Sequence, residues 1–265
     1  MLNQTIPPAI QRFLDRSLPI FKRDQRIMGV AAGGSFITDT MDEYSDLDLV
    51  VAIRPEAYDE IIANVKAFIA QFGNPICLFR GDHVGETRLW ICIFGRDMLH
   101  VDFKFIKLAD FATRVEDPVI LWEQDRALSE IMAGTTAHFP SPSRQWLEDR
   151  FWCWVYYLAQ KLNRGERFEC LDGLAFLRNQ VLGPILQMRY EQQPRGVRML
   201  ETVVDSEMPR LIQTVSGYDS ADLKRALYAC IDLYREIREP EDGTQLVHCN
   251  AMEEATMVYL AGIDP

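Results

Sequence analysis

The sequence predicts an α+β chain, with a mixed β-sheet and helices in the first part and an all-α helical bundle in the second. Three observations carry this expectation. Strand-like apolar runs cluster before residue 107, helical periodicity replaces them from Arg144 onward, and Gly134 to Ser143, with Pro140 and Pro142 among small residues, reads as a linker between the two. A chain of 265 residues exceeds the usual size of one domain, so two are expected, at 1–140 and 141–265. Strand, then helix, then clustered strands suit a mixed sheet with helices on one side.

In chain order, Asn3 to Leu18 is expected as an amphipathic helix with Ile10, Phe13, Leu14 and Leu18 on one side. Ile27 to Ala32 reads as a strand feeding the turn Gly33-Gly34-Ser35, and Leu47 to Ile53 as a second strand. Pro55 to Phe72 has helical spacing (Ile61, Ile62, Val65, Phe68, Ile69) and stops at Gly73, a C-cap residue. Two or three strands follow before residue 107. Among them Thr87 to Phe94 and Leu99 to Ile106 form a hairpin through Gly95-Arg96-Asp97, beside the second strand. Residues 107 to 133 read as short helices. Ser141 is the expected N-cap of the next helix, with Pro142 at its first position. Periodic stretches at 144–163, 171–192, 207–216, 219–238 and 250–261 make up the bundle.

The chemistry concentrates in the first part. Ten residues separate Ser35 from Asp46, and Asp46-Leu47-Asp48 opens the second strand. Side chains alternate along a strand, so Asp46 and Asp48 share one face while Leu47, Leu49 and Val51 share the other. Two carboxylates at this spacing repel unless a cation neutralises them, and Mg2+ prefers oxygen ligands. Because Mg2+ takes few protein carboxylates and fills its shell with water and phosphate oxygens, the pair implies a nucleoside triphosphate as co-ligand. The upstream turn supplies a phosphate seat, with close backbone N–H groups at Gly34 and the Ser35 hydroxyl. In Leu99 to Ile106, Asp102 shares the polar face with His100 and Lys104, which provides the third carboxylate that a two-metal site requires. Taken singly, each element has an ordinary explanation as a turn, a solvated strand entrance or a wet strand face. Their order, spacing and matching polarity together point to metal-dependent phosphoryl chemistry. For His100 a structural role is the plainer reading.

Composition excludes several classes. The formal charge of −11 and pI near 4.9 argue against a nucleic-acid partner, which calls for a basic footprint, and suit a cationic small acceptor. The longest apolar runs, such as Trp152 to Ala159, fall short of the ~20 residues of a membrane helix. Pro7-Pro8 and Asp15 disfavour a signal peptide, so a cytoplasmic protein is expected. The 6 cysteines show no C-x-x-C pair and indicate neither a zinc site nor a disulfide scaffold.

Gly34-Ser35, Asp46-x-Asp48 and the later strand aspartate Asp102 resemble the signature of the polymerase beta-like nucleotidyltransferase superfamily. Asp42-Glu43-Tyr44-Ser45-Asp46, Val101-Asp102-Phe103 through Leu108, and Phe151 to Arg189 narrow the likeness to antibiotic nucleotidyltransferases. The nearest group is the streptomycin 6-adenylyltransferases, with lincosamide nucleotidyltransferases second. Relatives often carry arginine after the motif serine, where this chain has Phe36. The resemblance implies a nucleotidyltransferase domain followed by a helical acceptor-binding domain, two Mg2+ ions, and transfer of AMP from ATP to a hydroxyl of a small acceptor such as an aminoglycoside. It also implies that Asp172, in Cys170-Leu171-Asp172-Gly173-Leu174, is the general base; a helix-start aspartate acting only as a cap is the alternative. Lys161, one helix earlier, could reach the triphosphate as a point charge, or be an exposed helix-end residue. Among Phe151, Trp152, Trp154, Tyr156 and Tyr157 most are expected in the core, with Trp154 or Tyr157 lining a cleft between the domains. Transfer to a metabolite or protein hydroxyl, and a catalytically silent nucleotide-binding module, remain as alternatives.

Overall fold

A computed structural model describes residues 6–264. Helix α1 (Pro8–Arg23) starts later and runs further than the sequence suggested, because proline is best placed where its missing N–H is not needed. The part of that expectation before residue 6 lies outside the described residues. Ile10, Phe13, Leu14 and Phe21 form the buried stripe of the helix. β1 (Ile27–Ala32) is buried at every position and β2 (Leu47–Ile53) alternates at its start, both with the expected limits.

The expected helix over 55–72 is broken into α2 (Tyr58–Ala63) and α3 (Val65–Ile69), with 3-10 turns at both ends. The break falls at Asn64 (φ −114°, ψ 19°), whose side-chain amide donates to the Glu60 carbonyl at 3.0 Å and competes with the helical ladder. Gly73, at φ +130°, ends the segment. β3 (Pro75–Arg80), β4 (Leu89–Phe94) and β5 (Leu99–Lys107) follow, and β4 and β5 form the expected antiparallel hairpin.

Residues 107–133 hold more than short helices. Between a 3-10 turn at Leu108–Ala112 and α4 (Ala127–Gly134) lies β6 (Val119–Glu123), which pairs with β1. A four-residue apolar run is ambiguous alone, and here the unpaired edge of β1 decides its conformation.

The sheet order is β3-β4-β5-β2-β1-β6, with β2 and β5 parallel and the other neighbours antiparallel. One face carries Leu47, Leu49, Val51, Val101, Phe103 and Phe105 against α1 and α3. The opposite face has a smaller apolar patch, in which Ala31, Ala52 and Ile106 meet Phe111 and Leu128. Helices therefore cover both faces unequally, and the residues preceding this patch along β2 and β5 are the polar ones.

Chain contacts divide the protein into two units, Met1–Phe139 and Pro140–Pro265. The second contains α5 (Arg144–Asn163), α6 (Arg167–Leu177), α7 (Gly183–Arg189), α8 (Leu200–Val203), α9 (Met208–Gln213), α10 (Ser220–Ile237) and α11 (Asn250–Ala261), and a π turn over Arg178–Leu182 links α6 to α7. Ser143, not Ser141, caps α5: its Oγ accepts from the Trp146 N–H at 3.1 Å, and Pro142 stands ahead of the helix. Leu147, Phe151, Val155, Leu158 and Leu162 recur at helical spacing along the buried face of α5. Beneath them Glu148 is fully buried, accepting from Tyr234 Oη at 2.7 Å, Cys249 N–H at 3.0 Å and Trp152 Nε1 at 3.3 Å. Burial, reinforced by Glu148, holds the Tyr234 phenol protonated far above its ordinary range. Among the described residues no helix is long and apolar enough to cross a membrane.

Candidate active site

Parallel pairing of β2 with β5 brings the aspartates together. Leu47 lies beside Val101 and Asp48 beside Asp102. One step before this ladder Asp46 comes close to His100, so Asp46, His100 and Asp102 form the array, while Asp48, beside Asp102 in the ladder, has its carboxylate against the Gly34 turn and is not part of that close group. Ligand atoms of Asp46, His100 and Asp102 all lie within 4.8 Å of one another. His100 Nε2 is 2.8 Å from Asp102 Oδ1. The Asp102 side chain is only 14% exposed, and its burial pushes its pKa above the ordinary carboxylate value; His100 opposes the shift and Asp46 adds to it. A carboxyl so placed gains from a nearby cation. Oxygen donors from two adjacent strands fit a hard divalent ion such as Mg2+.

The glycine turn sits at the β2 end of this array. Gly33 N–H donates to the Asp48 carbonyl at 3.0 Å, which ties the turn to the strand. Gly34 has φ +59°, and a side-chain carbon there would collide with Asp48 Oδ2, so glycine is required both for conformation and for close approach. The turn leads only into a 3-10 turn, Gly34–Phe36, and not into a longer helix. No helix terminus therefore backs the turn, whose polar groups are backbone N–H groups and the Ser35 hydroxyl. Phe36, in the place of the arginine of relatives, is 1% exposed and packs in the core.

Glu116 escaped the sequence reading. Its Oε1 accepts from Gly34 N–H at 3.0 Å, so a carboxylate occupies a backbone donor assigned to phosphate. It comes from the segment before β6, 82 residues from Gly34 in sequence. No local pattern signals such a contact; only the pairing of β6 with β1 brings it into place. Lys104, on the same face of β5, is paired with Glu86 at 2.8 Å, and Glu86 also pairs with Arg88 at 2.7 Å.

Asp172 and Lys161 belong to the second unit. Asp172 lies within α6, well past the helix start, so the capping alternative does not apply. It borders a groove of about 410 Å3 with Glu169, Trp154, Tyr157 and Phe176. Of the α5 aromatic cluster, Phe151 and Trp152 are core while Trp154 and Tyr157 wall this groove. Lys161 lies in the last turn of α5, as the alternative had it, but is neither free nor exposed. Its side chain is 17% exposed, pairs with Glu166 at 2.7 Å and lies over the Tyr157 ring.

The profile of the streptomycin adenylyltransferase family matches residues 9–241. No curated protein matches the sequence. Among solved structures, an aminoglycoside 6-adenyltransferase from Bacillus subtilis shares 16% identity, covering 96% of this chain and 97% of that one at a TM-score of 0.42. A nucleotidyltransferase-like protein from Exiguobacterium sibiricum 255-15 shares 12% over 86% and 75% of the chains, at a TM-score of 0.39. The Thermotoga maritima CCA-adding enzyme, complexed with tRNA, shares 12% over 97% and 70%, at a TM-score of 0.34. The family match spans most of the chain and agrees with the resemblance carried by Gly34-Ser35, Asp46-x-Asp48 and Asp102. The chain belongs to the streptomycin adenylyltransferase family and is a nucleotidyltransferase.

Proposed function

We propose that the protein transfers AMP from ATP to a hydroxyl of a small cationic acceptor of the aminoglycoside kind, releasing pyrophosphate. The observation that carries this reading is the closeness of Asp46 and Asp102, with Asp48 beside Asp102 in the ladder and against the Gly34 turn. Those three residues would hold Mg2+, which when bound supplies positive charge to the phosphate oxygens and the acceptor oxygen.

The remaining roles belong to the chain itself. Gly34 N–H and the Ser35 hydroxyl receive a phosphate, once Glu116 has given up the Gly34 donor. The acceptor oxygen bonds to the alpha phosphorus, the bond from that phosphorus to pyrophosphate breaks, and pyrophosphate leaves with the electron pair. The hydroxyl proton passes to Asp172, the base in this reading. Trp154, Tyr157 and Phe176 offer flat apolar walls to a sugar ring, and Glu169 with Asp172 offers negative charge to its amines, which supports a cationic acceptor. Lys161 reaches a phosphate only by releasing Glu166. We further propose that the two units act as separate domains, 1–140 for the nucleotide and 141–265 for the acceptor.

Pyrophosphate release from ATP and other triphosphates, measured with Mg2+ across aminoglycosides and lincosamides, tests the proposal. One aminoglycoside should stimulate release, and Asp48→Asn should abolish that stimulation while retaining the wild-type circular dichroism spectrum. An active Asp48→Asn protein sinks the metal assignment. Stimulation by lincosamides alone, or by no drug, sinks the acceptor assignment.

A further inference from the structure

His100 stands in one close group with Asp46 and Asp102, at a position where an all-oxygen magnesium site would have a carboxylate, an amide or water. We propose that His100 is itself a metal ligand, which with Asp46 and Asp102 makes a mixed nitrogen and oxygen position that favours a first-row divalent ion such as Mn2+ over Mg2+. The inference rests on the reading of the array as a metal site and adds to it the identity of one ligand and the class of ion.

Three observations support this assignment. His100 and Asp102 stand two residues apart on one face of β5, and their polar atoms are 2.8 Å apart. Two neighbouring ligands of one octahedral ion, each about 2.1 Å from it, stand about 3 Å apart. The pair is thus already held close to the spacing of two adjacent ligands of one ion. Secondly, the imidazole meets more than Asp102. Asp46, from the parallel strand, brings an oxygen within 4.8 Å of both partners, and a histidine that merely oriented Asp102 has no need of it. Thirdly, the His100 side chain is 38% exposed, which leaves it accessible to an ion from solvent. A borderline donor such as imidazole binds transition-series ions well and Mg2+ poorly.

The test is electron paramagnetic resonance of Mn2+ added to the full chain, with and without ATP, using electron spin echo modulation to detect directly bound nitrogen. Wild-type protein should bind Mn2+ with 14N modulation. His100→Gln, which offers oxygen instead, should lose the modulation and bind Mn2+ about tenfold or more weakly, while Mg2+ affinity, read by competition, moves less than about threefold. Should His100→Gln fold poorly, His100→Asn serves as the second variant, and the same loss of modulation is expected in it without ATP. Mn2+ bound without nitrogen modulation, or with modulation that persists in His100→Gln, overturns the role of His100 and leaves the three-aspartate reading standing. Failure of wild-type protein to bind Mn2+ under either condition overturns both.

Discussion

Glu116 and the Gly34 amide illustrate what one residue contributes at this site. The carboxylate satisfies a backbone donor that the proposed function gives to a phosphate, and like charges a few ångströms apart repel by about 1 kcal/mol even when well solvated. Glu116→Gln is therefore expected to tighten ATP binding about threefold to tenfold in isothermal titration. Weaker binding would mean that Glu116 helps to build the seat. Glu86 gives a second prediction. Its hydrogen bond from Arg88, helped by Lys104 and opposed by burial, pushes its pKa down from 4.5 to about 2. A carboxyl with a depressed folded-state pKa stabilises the fold fully above its unfolded value and loses that contribution as the pH falls toward the folded value. Between about pH 4.5 and 2, Glu86→Gln should flatten the pH dependence of the urea midpoint, by on the order of 1 kcal/mol across the window. An unchanged slope would show that the pair does not contribute to stability.

At the scale of elements, the bundle is fastened by one buried polar group. Glu148 on α5 accepts from Tyr234 on α10 and from the backbone at Cys249, just ahead of α11, and Arg238 bridges Glu148 at 3.5 Å and Glu253 at 2.9 Å. Removing Glu148 strands several buried donors at once, and losing one partner of a buried polar cluster costs about 3–5 kcal/mol. Glu148→Ala should lower the unfolding free energy by about that amount in urea titration; a loss below about 1 kcal/mol would show that water replaces the carboxyl without penalty. In the sheet, the same logic of partners explains β6. The edge of β1 needed a strand, and residues 119–123 supply it although their periodicity alone was equally compatible with helix.

Over the whole molecule, net charge is the property with a direct functional consequence. A charge of −11 would attract the polycationic acceptor proposed above, and salt would screen the attraction. The KM for an aminoglycoside is expected to rise several-fold between about 20 and about 300 mM salt with little change in kcat, whereas an uncharged acceptor should show no such rise. A flat response with the cationic acceptor would mean that the acidity serves solubility alone.

The sequence by itself determined the α+β class, the limits of β1 and β2, the hairpin of β4 and β5, and the helices α5, α10 and α11. These follow from local causes: apolar periodicity, alternation along a strand, and glycine at a turn that no other residue fits. Only the tertiary structure decided the parallel register that sets Asp48 beside Asp102 and Asp46 close to His100, the hold of Glu116 on Gly34, and the place of Asp172 within α6 on a groove wall. Each of these depends on segments distant in sequence, and their pairing is set by which edges and faces remain to be covered once the core has formed.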